Sequence, residues 1–174
     1  MTTPEEEARQ IIDAKLAEAG WTVQDRDQMD LSAALGVAVR EVTLAKGHGE
    51  ADYLLFADRK AIGVVEAKPV GHTLSGVEEQ SARYAEGIPD HIPAWKQPLP
   101  FKYESTGVET CFTNDLNPEP RSRPLFHFHR PDTLLDWVKD EDQLRGRLLK
   151  MPLLKGDGLW PAQFRAITNL ERSF

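Results

Sequence analysis

Apolar positions along this chain change period several times, and each change marks an element. Ala8, Ile11, Ile12, Leu16 and Ala19 recur every three to four residues, the spacing of a helix with one buried face. Pro4 and the three glutamates behind it suit the first turn of that helix, and Gly20 ends it. Val37–Leu44 alternates as a strand does and leads into the loop Lys46-Gly-His-Gly49. "DYLLFA" and "AIGVVEA" are two apolar runs separated by the polar turn Asp58-Arg59-Lys60, which predicts a hairpin. A helix is expected from about Ser75 to Glu86, stopped by Gly87 and Pro89. Asp90–Gly107, with Pro93, Pro98 and Pro100, reads as a loop, and "VETCFT" and "PLFHFH" read as two further strands. Pro131 and Asp132 then open a helix carrying Leu134, Leu135, Trp137 and Val138. This order predicts a mixed α/β domain built on one central sheet.

Length and composition change the picture only a little: 174 residues at 40% hydrophobic content suit one ordinary core and a short remainder. The single cysteine, Cys111, excludes an intramolecular disulfide or a multi-cysteine zinc site, and its apolar neighbours make it a packing residue. An acidic amino end and the lack of an apolar stretch near about 18 residues predict a soluble cytoplasmic protein with no membrane partner. The net charge of −7 is uneven, since acids outnumber bases over residues 1–120 and the reverse holds over 121–174. An acidic domain grips nucleic acid poorly by itself, because affinity for phosphates comes mainly from lysine and arginine.

The candidate chemistry lies in the expected hairpin. A turn closing symmetrically about Arg59 leaves Asp52 and Glu66 equally far from it, and so opposite one another. Opposed Cβ atoms lie only about 4.5–5.5 Å apart, where like charges destabilise a sheet. Alternation puts Glu66 and Lys68 on one face with Ile62 and Val64, so Lys68 stands diagonally across from the acids and neutralises one of them. Two readings fit: a salt-bridged strand end at the sheet rim, or an oxygen-ligand site for Mg²⁺ or Mn²⁺. The second would serve metal-assisted hydrolysis of a phosphodiester, with Lys68 orienting water or stabilising developing charge.

Gly49-Glu-Ala-Asp-Tyr, Glu66-Ala-Lys and Gln80-Ser-Ala-Arg-Tyr84 together resemble the nuclease domain of the PD-(D/E)xK superfamily. More closely, they resemble the amino-terminal domain of the restriction (R) subunit of type I restriction enzymes. "EEEARQIIDAKLAEAGW" is similar to that family's first helix and its exit, and "CFTND" with "FHFHRPDTL" to its later strands. Ala51 stands where the motif's proline is usual. The resemblance implies a restriction-endonuclease-like fold, a central mixed β-sheet flanked by helices, over residues 1–150. It implies catalytic and metal-binding roles for Asp52, Glu66 and Lys68, DNA contacts from Gln80 and Tyr84, and support of the metal by a first-helix glutamate, with Glu5 chosen on its facing. The implied cofactor is Mg²⁺ or Mn²⁺. The implied partners are double-stranded DNA, the helicase motor of the same subunit, and modification and specificity subunits.

"GLWPAQFRAITNLERSF" resembles the segment preceding the first ATP-binding motif of such motors, with Gln163 at the position of an adenine-contacting glutamine. Residues 151–174 are therefore expected to be a linker and the start of a motor domain. No Gly-x-x-x-x-Gly-Lys-Ser/Thr occurs, so ATP would act only in a motor absent from this chain. His127 and His129 alternate with Phe126 and Phe128 and are expected on an outward strand edge; His48 is expected as a plain loop residue. Besides a nuclease of this family, the sequence admits a catalytically silent docking module of a helicase and another nuclease of the superfamily, for repair or modified DNA.

Overall fold

The computed structural model describes residues 3–74, 78–140, 144–150, 152 and 155–171. Its residues fall into two compact units, Met1–Asp140 and Glu141–Phe174. In the first, helix α1 (Pro4–Glu18) starts on a capping box in which Thr3 and Glu6 satisfy each other's backbone N–H groups, with Pro4 in the first turn. Strands β1 (Thr22–Asp25), β2 (Gly36–Thr43), β3 (Glu50–Ala57) and β4 (Lys60–Ala67) follow. Helix α2 (Glu78–Glu86), strands β5 (Phe101–Ser105), β6 (Thr110–Asn114) and β7 (Arg123–Leu125), and helix α3 (Pro131–Lys139) complete it. The expected start of α2 at Ser75 lies outside the described residues. The second unit contains α4 (Leu144–Leu149) and α5 (Pro161–Glu171), the latter begun by Gln163 Oε1 accepting the Trp160 N–H at 3.0 Å.

Among the described residues the strands form one seven-stranded sheet in chain order. The pairs β1/β2 and β4/β5 are parallel and the others antiparallel, which makes the sheet mixed. Ile12 and Leu16 of α1 and Leu134, Leu135 and Val138 of α3 cover one face, packed with Tyr53, Leu55, Val65 and Tyr103. Tyr84 and Ala85 of α2, with Ile88 and Leu99, cover the other, against Val39, Leu54 and Val64. The parallel β4/β5 pair requires a crossover connection, and α2 supplies it.

Three expectations are corrected. Phe101–Ser105 is a central strand rather than part of a loop: the prolines before it punctuate the chain, but "FKYES" alternates and is buried on both faces. Only Arg123–Leu125 of the "PLFHFH" region pairs, and Phe128 and His129 turn back towards the aromatic core. Ile62 does not share a face with Val64. The hairpin turn has two residues, Asp58 and Arg59, both at positive φ, so Ala57 pairs with Lys60 and Phe56 with Ala61. Leu55 then pairs with Gly63, leaving Ile62 as the extra residue of a bulge that directs it to the α1 and α3 side.

At Gly63, directly after that bulge, β4 and β5 pack closely: a Cβ there would meet the Phe101 carbonyl oxygen at 2.6 Å. Neighbouring backbone cannot yield as a side chain would, so Gly63→Ala is expected to destabilise the domain by about 1–3 kcal/mol. Urea unfolding of the two proteins checks this, and an unchanged midpoint would show that β4 and β5 can separate without cost.

Candidate active site

The two acids meet at the ends of β3 and β4. The ladder runs from Leu55/Gly63 through Leu54/Val64 to Tyr53/Val65, which makes Asp52 and Glu66 the next matched positions. Asp52 then takes over from the backbone, its Oδ2 accepting the Ala67 N–H at 2.8 Å. The side chain thus does what a strand carbonyl would have done, which holds the carboxylate against β4.

Regular alternation also fails at this point on β2 and β3. Val39 and Val42 lie on the α2 side while Arg40, between them, reaches Asp13 of α1; likewise Leu54 and Ala51 lie on the α2 side while Tyr53 bonds Asp13. Glu41 and Asp52, which face each other across these strands, take up the slip, and Glu41 does so at φ 51°. With Glu66 matched to Glu104 of β5, four acids lie in one row across β2, β3, β4 and β5.

Two cations, rather than Lys68 alone, answer this row. Lys68 Nζ donates to Glu66 Oε1 at 2.7 Å. Arg9 of α1 donates through Nη2 to Asp52 Oδ1 and through Nη1 to Glu41 Oε1, both at 2.7 Å. Arg9 was not singled out by sequence because its contact spans 43 positions; its only local signal is that it follows Glu5 by one helical turn. Glu104 is also new. It is buried, and it accepts a hydrogen bond from the Ser81 hydroxyl of α2, which ties that helix to the strand beside Glu66.

The remaining candidates separate. Glu5 is exposed on the first turn of α1, and the side chain that this helix brings to Asp52 is that of Arg9. Among the described residues no three His, Cys, Asp or Glu side chains converge as metal ligands. Tyr84 has a buried ring, packed in the core cluster that includes Val42 and Ala51. Gln80 belongs to α2, but its side chain lies outside the described residues. His48 holds α2 from outside, its Nδ1 on the Arg83 carbonyl at 2.8 Å. His129 is not an outward edge residue: its Nδ1 meets the Tyr103 hydroxyl at 2.8 Å and its ring packs on Phe112.

Glu66 is only 2% exposed, and its Oε2 has no hydrogen-bond partner. Burial pushes its carboxyl up to about 7; the Lys68 ammonium opposes this and the neighbouring Asp52 adds to it. An unpartnered carboxylate oxygen beside a second carboxylate suits a hard divalent cation, which would supply the charge that burial withholds. Without metal, the folded chain holds a proton on Glu66 that the unfolded chain, at an ordinary value of 4.5, releases. Folding stability is therefore lost as pH rises from about 4.5 through about 7. In EDTA, the melting temperature of the wild type is expected to fall relative to Glu66→Gln across that window and to run parallel above it. A constant gap would mean that Glu66 titrates normally.

A family profile described as the second domain of the type I restriction enzyme EcoKI endonuclease subunit matches residues 26–113, half of the chain. The EcoKI endonuclease subunit of Escherichia coli strain K12 is 26% identical over 187 aligned positions, covering 80% of this chain. A solved fragment assigned to the HsdR subunit of a type I restriction enzyme from Vibrio vulnificus YJ016 has the same fold, with a TM-score of 0.55 at 24% identity over 88% of this chain. The chain spans 16% of the first of these proteins and 29% of the second. Among the described residues no helix is long and apolar enough to cross a membrane. The mixed sheet, its flanking helices and the profile match carry one conclusion: this chain belongs to the family of type I restriction enzyme endonuclease subunits.

Proposed function

We propose that this chain is the DNA-cutting domain of such a subunit, a hydrolase of phosphodiester bonds in double-stranded DNA that uses Mg²⁺ or Mn²⁺. The observation that carries the reading is Glu66: a carboxylate buried beside Asp52, with one oxygen on Lys68 and the other unpartnered. A purely structural rim would leave such a group in water or give both of its oxygens partners, because a buried polar atom without one is costly.

Asp52 and Glu66 would hold the cation. When bound, it would supply Lewis acidity toward the phosphoryl oxygen and lower the pKa of an attacking water. The chain's own groups do the rest. Asp52 is fixed by the Ala67 N–H and Glu66 by its place in β4 and by Lys68, so neither carboxylate need reorganise. Lys68 is held on Glu66 at the mouth of the pair, 18% exposed, where its ammonium can orient water or meet charge developing on a phosphate. Ser81 ties α2 to Glu104, the position matched to Glu66, and Gln80 and Tyr84 of the same helix would serve DNA engagement.

The excess of acids over residues 1–120 supports a division of labour in which the motor of the same subunit and the modification and specificity subunits provide most of the grip on DNA. On this reading residues 1–150 are the nuclease domain, and residues 151–174 are a linker and the beginning of the motor, where ATP would be used. The cytoplasm is the compartment in which such a complex meets DNA.

Calorimetric titration of Mn²⁺ into this chain and into Glu66→Ala, followed by incubation with supercoiled plasmid, tests the assignment. The wild type is expected to bind, and the variant to lose at least about tenfold in affinity, or about 1.4 kcal/mol. Lys68→Met is expected to keep Mn²⁺ binding while nicking falls by about 10²–10³. Equal binding by wild type and Glu66→Ala would return the acids to a rim salt-bridge cluster and favour a docking module.

A further inference from the structure

We propose that Arg9 is the resident counter-ion of this site: it occupies Asp52 in the absence of metal and is displaced onto Glu41 when a divalent cation binds. The inference rests on the reading above, that Asp52 and Glu66 hold the cation, and it concerns what sets the affinity of that site.

Each oxygen of Asp52 already has a donor. Oδ2 holds the Ala67 N–H, a backbone contact that secures the strand ends, and Oδ1 holds Arg9. An incoming cation therefore competes most directly with Arg9, the one donor of the two that can move. Its guanidinium is forked, one arm on Asp52 and the other on Glu41. The two ends differ in environment: the Asp52 side chain is 14% exposed and that of Glu41 56%. Transfer to Glu41 would carry the arginine towards water while preserving one of its ion pairs, so the movement is a short rotation about an anchor it already has.

Two further observations indicate that the clamp on Asp52 is not at its ease. Arg9 Nε is buried without a hydrogen-bond partner, a deficit that water would repair if the side chain swung outward. Glu41 is held at φ 51°, a left-handed conformation that a glutamate in a strand adopts only when its surroundings impose it. Arg26 does part of the imposing, since its Nη1 bonds both the Glu41 carbonyl and the Thr43 hydroxyl. The acceptor for a displaced Arg9 is thus pre-positioned by the same slip in β2 that leaves Asp52 facing it.

The consequence is electrostatic. With Arg9 on Asp52 and Lys68 on Glu66, each acid has its own cation, and a divalent ion gains far less than it would from a bare pair. Arg9 lowers the metal affinity of the site while Glu41, by drawing Arg9 away, raises it. A merely structural role for the cluster predicts otherwise, because loss of either partner would then disorder Asp52 and weaken binding in the same direction.

The test is Mn²⁺ calorimetry on wild type, Arg9→Gln, Glu41→Gln and Glu66→Ala, with circular dichroism confirming the fold of each. Arg9→Gln is expected to bind about tenfold tighter than wild type and Glu41→Gln more weakly. If Arg9→Gln does not fold, Arg9→Lys, which keeps the charge but cannot fork, is expected to bind more tightly than wild type by a smaller factor. Unchanged or weaker binding in a folded Arg9 variant overturns the proposal while leaving the metal site intact, and so does an unchanged or tighter Glu41→Gln. Binding that survives Glu66→Ala, or is absent from every protein, overturns the metal site itself and the role of Arg9 with it.

Discussion

Burying a glutamate beside an aspartate is the constraint around which this domain is arranged. Glu66 loses nearly all its water, and the adjacent Asp52 makes the ionised form still harder to hold. A sheet cannot absorb that through backbone pairing alone. It draws a lysine from two residues along the same strand end and an arginine from a helix packed on the opposite face from α2, and it leaves one carboxylate oxygen unsatisfied. The local geometry is what makes these contacts possible: a bulge at Ile62 corrects the register, and a slip at Glu41 and Asp52 opens the end of β2 and β3 towards α1.

The same irregularities show how far sequence alone can reach. Alternation and turn chemistry revealed the first helix and the β3–β4 hairpin, because each depends on local periodicity, and pointed to one central sheet, while its mixed character came from the family resemblance. The opposition of Asp52 and Glu66 was anticipated through a turn centred on Arg59. In the structure a tighter turn and one extra residue reach the same register, so two departures from the simple picture cancel at the acids. They do not cancel at Ile62, which sits on the wrong side of a strict alternation. A bulge of this kind leaves little trace in a pattern of apolar residues, since Ile62 is buried on either face.

Other features were hidden for different reasons. Proline punctuation outweighed the alternation of Phe101–Ser105, and with β5 went Glu104, the acid matched to Glu66. Arg9 looks like a solvated helix residue until α1 is docked, because nothing in its own neighbourhood names Asp52 or Glu41 as partners. The family resemblance pointed to the acids and the lysine, which lie within one hairpin and its exit. It was less informative about a first-helix partner, where the structure brings a cation rather than Glu5 to Asp52.

The parallel pairing of β4 with β5 has a consequence for the entropic cost of bringing the site together. Asp52 and Glu66 are joined by a two-residue turn, so bringing them together costs little loop entropy. Glu104 reaches Glu66 only after the chain has travelled from Ala67 through α2 and back to Phe101, a much longer loop to close. Bringing Asp52 to Glu66 is therefore entropically cheap, whereas Glu104 and the helix that Ser81 fastens to it carry the larger closure cost. The neighbours that β5 and α2 bring to Glu66 thus come from a part of the chain remote from the acid pair and at the greater entropic cost.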